Sequence, residues 1–252
     1  MDKRTVFITG AANGIGEATA ILFASRGWYV GLYDIDINKL STLAEKLGVK
    51  NCCYSECDIT DEQSVVNAFD NFSAHTGGKL DALIANAGII YQGPFDSHTP
   101  EQYKRLINVN AFGTINTVFG GLKMLKNTLH SHIVITSSSS ALFGIPTFAV
   151  YGATKAFLKS FTEATSSEFI KYNINVSSVM PLFVQTKMMN DIDSKHKALL
   201  TPENIATVIL RAATIGKSRH YLIGKNLKVM SLLIRLLPTK LAEKIMRTYL
   251  HE

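Results

Sequence analysis

The sequence predicts a single doubly wound α/β domain, a parallel sheet flanked by helices, with an amphipathic helical tail at its C-terminal end. Three observations predict it. Short strand-like runs alternate with helix-period segments along most of the 252 residues. A glycine-rich turn joins the first strand to the first helix. No linker, low-complexity segment or repeat divides the chain, so residues 1–225 read as one domain and 226–252 as its helical extension.

The elements follow in order. Arg4–Thr9 reads as a strand and Gly14–Arg26 as a helix. Trp28–Tyr33 is a strand, Asn38–Leu47 a helix, and Cys52–Ser55 a short strand. The helical Glu62–His75 precedes a strand at Leu80–Ala85. Helices around 100–126 lead to a strand at His132–Ser137. Ala149–Tyr172 is a long helix, Ile174–Val179 a strand, Pro202–Ile215 a helix and His220–Ile223 a last strand. Strands separated by helices pair in parallel through right-handed crossovers. Ligands in such sheets bind beyond the carboxyl ends of the strands, so functional residues are expected just after strands.

Composition narrows the class. The chain is 46% hydrophobic and 18% charged, enough to bury a sizeable core and too apolar for disorder. Cys52, Cys53 and Cys57 lie together, with spacing wrong for zinc, and read as free thiols in a reducing compartment. No metal site is predicted. The first strand starts almost at Met1, which leaves no room for a signal or transit peptide, and no apolar run reaches the length of a membrane span. A cytoplasmic protein is expected. Of the net charge of +6, residues 225–252 carry +4, six Lys or Arg against two Glu. The rest is near neutral, so no nucleic-acid footprint is indicated.

The turn Thr9-Gly10-Ala11-Ala12-Asn13-Gly14-Ile15-Gly16 suits a dinucleotide-binding, Rossmann-type start. Its glycines let the backbone turn tightly and bring a pyrophosphate to the free N–H groups of a helix N-terminus. Asp34 ends the second strand. An acid there accepts hydrogen bonds from an adenosine ribose and repels a 2′-phosphate. Ala11–Asn13 holds no base and Ile35 follows Asp34, so NAD is favoured over NADP. Asp58 and Ile59 after the third strand, and Asn86-Ala87-Gly88 after the fourth, are placed to line an adenine pocket.

Tyr151 and Lys155 are four apart in a helical segment and share a face. A phenol ionises near pH 10, and bringing it to about 7 takes roughly 4 kcal/mol. One ammonium about 4 Å away, at an effective dielectric of about 20, supplies about that much. The spacing alone is not decisive in a chain with nine Tyr, because Tyr221 and Lys225 repeat it. Context decides. Ser138, just after a strand, stands thirteen residues before Tyr151, whereas Tyr221 lies in a strand-like run with Val208 at the matching place.

With these features in order, the sequence resembles the short-chain dehydrogenase/reductase family to about residue 223. The residues that carry the resemblance are Thr9-Gly-x-x-x-Gly14-x-Gly16, Asn86-Ala87-Gly88, Asn108-Val109-Asn110, Ser138 and Tyr151-x-x-x-Lys155. It implies an oxidoreductase acting on CH–OH groups. It implies that Ser138 holds the substrate oxygen and Tyr151 moves its proton. Lys155 then binds the nicotinamide ribose and lowers the Tyr pKa, and Asn110 anchors a proton-relaying water. It further implies that Pro181, the Val184 backbone and Thr186 face the nicotinamide carboxamide, and that the protein is a homodimer or homotetramer. The sequence departs from the family pattern at Ala85, where an Asn is usual, and at Leu182, where Gly usually follows Pro181. Leucine restricts the backbone to φ < 0 and adds apolar bulk beside the substrate.

Phe143, Phe148, Leu182, Phe183, Met188 and Met189 are candidate walls of an apolar substrate pocket, suited to a lipophilic alcohol or ketone. Segment 187–200 reads as a lid. The tail has apolar residues at helical spacing on both sides of Pro238, mixed with its basic residues. Residues 226–250 could lie on an anionic membrane as a peripheral contact, close over substrate, meet a second subunit or simply pack on the domain. Two other classes share the Gly-rich turn: a non-catalytic dinucleotide-binding redox sensor and an S-adenosylmethionine methyltransferase. Neither has reason to keep Asn110, Ser138, Tyr151 and Lys155 together.

Overall fold

Seven parallel strands, among the described residues, form one sheet in the order β3-β2-β1-β4-β5-β6-β7. They are β1 Thr5–Thr9, β2 Tyr29–Asp34, β3 Cys52–Glu56, β4 Ala82–Ala85, β5 His132–Thr136, β6 Asn175–Pro181 and β7 His220–Ile223. The computed structural model describes residues 3–185, 200–216, 219–224, 226–237 and 241. The predicted doubly wound fold is the one observed, and the predicted lid falls almost wholly outside the described residues.

Strand side chains alternate between two cores. Val6, Ile8, Val30, Leu32, Ala82, Ile84 and Val134 point to one face. There they meet α1 (Gly14–Ser25), α2 (Ile37–Leu47) and α7 (Pro202–Ile215) through Phe23, Leu40 and Ile209. Phe7, Tyr33, Leu83, Ile133 and Ile135 point to the other. That face is covered by α3 (Glu62–Thr76), α5 (Gly113–Asn127) and α6 (Ala149–Glu168) through Phe69, Phe72, Leu125 and Leu158. A strand buried on both faces reads as a continuous apolar run, which is why TVFIT and ALIA carry no polar alternation.

Helix ends follow local chemistry. Asp36 and Asp61 cap α2 and α3 by accepting backbone N–H groups. Thr99 with Gln102 forms a capping box on α4 (Pro100–Ile107), and Thr201 with Asn204 forms one on α7, each with proline at the start. The single helix read over 149–172 ends at Glu168 and tightens into a 3₁₀ turn at Phe169–Tyr172 before left-handed Asn173. One wide i→i+5 turn, Asn108–Phe112, joins α4 to α5. In the tail, α8 spans Leu227–Leu236.

The strand order reverses direction between β1 and β4, where crossovers leave to opposite sides. That switch point opens a crevice at the carboxyl ends of the strands.

Candidate active site

The loop after β1 is built around glycines. Gly10 and Gly14 adopt φ +68° and +54°, a left-handed conformation costly for other residues. A Cβ on Gly16 would lie 1.9 Å from the Gly10 carbonyl oxygen, so only glycine lets α1 start this close to the turn. Asn13, the N-cap of α1, makes no side-chain cap, which leaves the first N–H groups of the helix for an anion.

Asp34 is fixed at the end of β2. Its carboxylate accepts the Ala12 N–H at 3.1 Å and the Asp36 N–H at 3.2 Å. Asn86 ties β4 to the glycine turn: its amide donates to the Thr9 and Gly10 carbonyls at 3.2 and 3.3 Å. Thr9 Oγ1 accepts the Asn86 and Ala87 N–H groups. On the other side, Thr136 Oγ1 donates to Asn86 Oδ1 at 3.1 Å, and the Thr136 carbonyl accepts Lys155 Nζ at 3.1 Å. Hydrogen bonds thus run from the glycine turn through β4 and β5 to the lysine. Thr136 was not singled out from sequence, because its partners lie 50 and 19 residues away.

The helix α6 carries Tyr151 and Lys155 on one face. Ser137 Oγ donates to the Lys155 carbonyl at 2.9 Å, and Lys155 is 4% exposed. Burial lowers its ammonium from the usual 10.5 to about 8. Lys155 Nζ sits 5.6 Å from the Tyr151 ring centroid. Ser138, extended and 9% exposed, lies close enough to favour the ionised Tyr151 hydroxyl, and its own Oγ accepts the Ser140 N–H at 3.2 Å. Burial pushes the phenol up to about 12, against the smaller lowering by Ser138. From helical spacing alone, the ammonium is expected to bring the phenol down. Here desolvation dominates, because both groups sit in the same water-poor pocket and the ammonium is engaged by the Thr136 carbonyl.

Asn110 lies in the wide turn and is fully buried. It accepts the Ile89 N–H at 2.8 Å and donates to the Ile89 carbonyl at 2.9 Å and to Thr154 Oγ1 at 3.2 Å. A Cβ added to Gly88 would meet Asn110 Oδ1 at 3.1 Å and Lys155 Nζ at 3.5 Å, so these two polar ends converge beside Gly88.

A cavity of about 300 Å³ joins the two ends. It is lined by Gly10, Asn13, Gly14, Ile15, Asp34, Asn86, Ala87 and Gly88, and also by Ser138, Tyr151, Lys155, Pro181, Leu182 and Val184. All of these are site residues that the sequence predicts. Ile89, Ile90, Thr136 and Ser137 line it as well, without a sequence signal that sets them apart. An adjoining cavity of about 390 Å³ shares Gly10, Asp34, Ala87 and Gly88 and adds Asp58 and Ile59. Gly16 and Asn110 stand behind the walls. Phe143, Phe148 and Phe183 do not line the cavity, although Phe148 packs on Tyr151 with ring centroids 6.1 Å apart. Thr186, Met188 and Met189 lie outside the described residues. Tyr221 is on β7 and faces the core of α1, α2 and α7, so the second Tyr–Lys spacing is not a helical pair.

The family model for short chain dehydrogenases matches residues 4–197. A short-chain dehydrogenase reductase 3a of Arabidopsis thaliana is 31% identical over 222 residues, covering 87% of this chain and 85% of the relative. An uncharacterized oxidoreductase of Listeria innocua is 27% identical over 224 residues, 83% of this chain and 90% of that protein. A short-chain dehydrogenase/reductase from Burkholderia phymatum, solved in complex with NAD, superposes with a TM-score of 0.83 at 22% identity over 93% of each chain. The chain belongs to the short-chain dehydrogenase family of oxidoreductases.

Proposed function

We propose that this protein is an NAD(H)-dependent oxidoreductase that interconverts a lipophilic secondary alcohol and its ketone, with Tyr151 as general acid and base. The observation that carries the reading is the single cleft in which Ser138, Tyr151 and Lys155 meet the glycine turn and Asp34. Gly10, Asn13, Gly14 and Ile15 fit a pyrophosphate at the α1 N-terminus, and Gly16 makes that close start possible. Asp34 fits a ribose diol. Asp58, Ile59, Ala87 and Gly88 fit the adenine, and Pro181 and Val184, with Thr186 beyond the described residues, the carboxamide end. When bound, the nicotinamide supplies a two-electron acceptor or donor and, oxidised, a positive charge beside the phenol.

The chain's own residues do the rest. Ser138 orients the substrate oxygen through its hydroxyl. Tyr151 passes a proton to or from that oxygen. Lys155 holds a positive charge in a buried place, where it favours the phenolate as Tyr151 gives up its proton. Asn110 ties the Ile89 backbone to Thr154, whose Oγ1 donates to the Tyr151 carbonyl at 2.7 Å, so it braces the helix turn that aims the tyrosine. Ile89, Ile90 and Leu182 give the cleft its apolar side, which supports a lipophilic substrate.

A homodimer or homotetramer is part of the reading, supported by Phe112 at the end of the wide turn and Phe119 on α5, which are 58% and 77% exposed. A cytoplasmic location is part of it too, with peripheral membrane contact through 226–250. Among the described residues no helix is long and apolar enough to cross a membrane.

The deciding experiment is steady-state NADH oxidation with a panel of apolar ketones. Tyr151→Phe is expected to lower kcat about 10²–10⁴-fold while NADH still binds. Unchanged turnover in that variant rules out the proposed proton path. NADH binding with no turnover across the panel favours a redox sensor instead.

A further inference from the structure

Among the described side chains of α8, those turned away from the domain are apolar. Leu227 and Ser231 are buried beneath it, while Val229, Leu232 and Leu236 are 59%, 60% and 74% exposed. These three positions follow i, i+3, i+7 spacing and form one stripe. A surface helix packed on its own domain shows polar groups there. The chain from 225 to 252 carries six Lys or Arg against two Glu.

We propose that the outer face of α8 docks on an anionic lipid bilayer. The charge selects this occupant over a second copy of the chain. Two tails of net +4 brought together across a two-fold axis repel one another, whereas an anionic headgroup layer attracts each of them. The apolar stripe then inserts at the headgroup boundary and the net positive charge of the tail attracts the anionic headgroups, the two contributions an interfacial helix needs.

The root of α8 sits against the cleft. Leu182, which lines the cavity, donates its N–H to the Ile223 carbonyl at 2.9 Å. A Cβ on Gly224 would lie 3.0 Å from Leu182 Cβ and 3.7 Å from Leu227 Cβ. The turn at Gly224 therefore packs the first residue of α8 beside the cleft wall. Docking through α8 places the apolar side of the cleft near the bilayer, where a lipophilic alcohol or ketone concentrates. Lipid docking deepens the membrane contact of the proposed function by naming its face and its lipid, and that last step rests on the proposed reaction as well.

The test is co-sedimentation of the full chain with vesicles of phosphatidylcholine alone and of phosphatidylcholine with phosphatidylserine. The wild type is expected to pellet with the phosphatidylserine vesicles only, and less so at high salt. Leu232→Glu/Leu236→Glu is expected to lower partitioning at least about tenfold, because two exposed leucines lose their insertion and two charges oppose the lipid. Circular dichroism and NADH oxidation on a water-soluble ketone check that this variant is folded. Wild type that stays in the supernatant with both vesicle types overturns the proposal. So does a variant that pellets as well as wild type, or one whose only change is a smaller mass by light scattering, which assigns the face to subunit contact. Loss of NADH turnover with intact vesicle binding counts against the proposed reaction and leaves the docking surface standing.

Discussion

Replacing Asp34 by Asn tests the choice of cofactor with little change of shape. The Asn side-chain oxygen can still accept the Ala12 N–H that Asp34 accepts at 3.1 Å, while the amide end gives up the Asp36 N–H that Asp34 accepts at 3.2 Å, a local cost of about 1 kcal/mol in stability. What changes for the cofactor is one negative charge at the end of β2, where the cleft begins. A hydrogen bond to a charged acceptor is worth about 1.5–3 kcal/mol and one to a neutral acceptor about 0.5–1.5, so NADH should lose about 1–1.5 kcal/mol, near tenfold in Kd. A 2′-phosphate carries close to two negative charges. At about 6 Å from the carboxylate, with an effective dielectric of about 40 for this partly exposed place, the repulsion is about 3 kcal/mol. Removing it should tighten NADPH by about 100-fold. The NADH-to-NADPH preference should therefore move by about 10²–10³, read by titrating the fluorescence of each reduced cofactor against wild type and Asp34→Asn. A ratio that moves by less than about threefold, or a wild type that already binds NADPH more tightly, refutes the role given to Asp34.

Other consequences follow from the same geometry. Lys155 has its ammonium lowered from 10.5 to about 8 by burial, so the folded state binds this proton less tightly than the unfolded chain does. That cost, about 3 kcal/mol, is fully present below pH 8 and disappears as pH rises toward 10.5. Lys155→Met escapes it but loses the bond to the Thr136 carbonyl, about 1 kcal/mol. The variant should be about 1–2 kcal/mol more stable than wild type at pH 7 and slightly less stable near pH 10.5, by urea unfolding; the same difference at both pH values contradicts the burial argument. It should also be catalytically impaired, so stability and activity move in opposite directions. Thr136→Val removes the donor to Asn86 Oδ1 and keeps the carbonyl that holds Lys155. It should cost about 1–2 kcal/mol in stability and weaken NADH about tenfold, with the pH profile of kcat unchanged. A shifted profile with normal NADH affinity would place Thr136 with the proton path instead.

The fold was legible because a two-sided parallel sheet imposes a simple local rule. ALIA and the centres of TVFIT and HIVIT are uninterrupted apolar runs, and helix-period segments separate them. The glycine turn was legible because left-handed φ and close approach both exclude side chains, so the need at Gly10, Gly14 and Gly16 is written in the residue type. Helical spacing likewise put Tyr151 and Lys155 on one face, and strand character correctly set Tyr221 apart.

What the sequence by itself determined, then, is which residues must be neighbours along an element and where the chain must turn. Tertiary structure decided the rest. It brought Thr136 between Asn86 and Lys155, a bridge across three segments that no local spacing encodes. It drew the walls of the cleft with Ile89 and Ile90 and left Phe143, Phe148 and Phe183 outside them, because apolar residues of equal hydrophobicity differ only in where the backbone points them. It also set the balance at Tyr151. Sequence spacing gives the distance between a phenol and an ammonium, but the free energy of removing both from water depends on everything packed around them, and here that term is the larger.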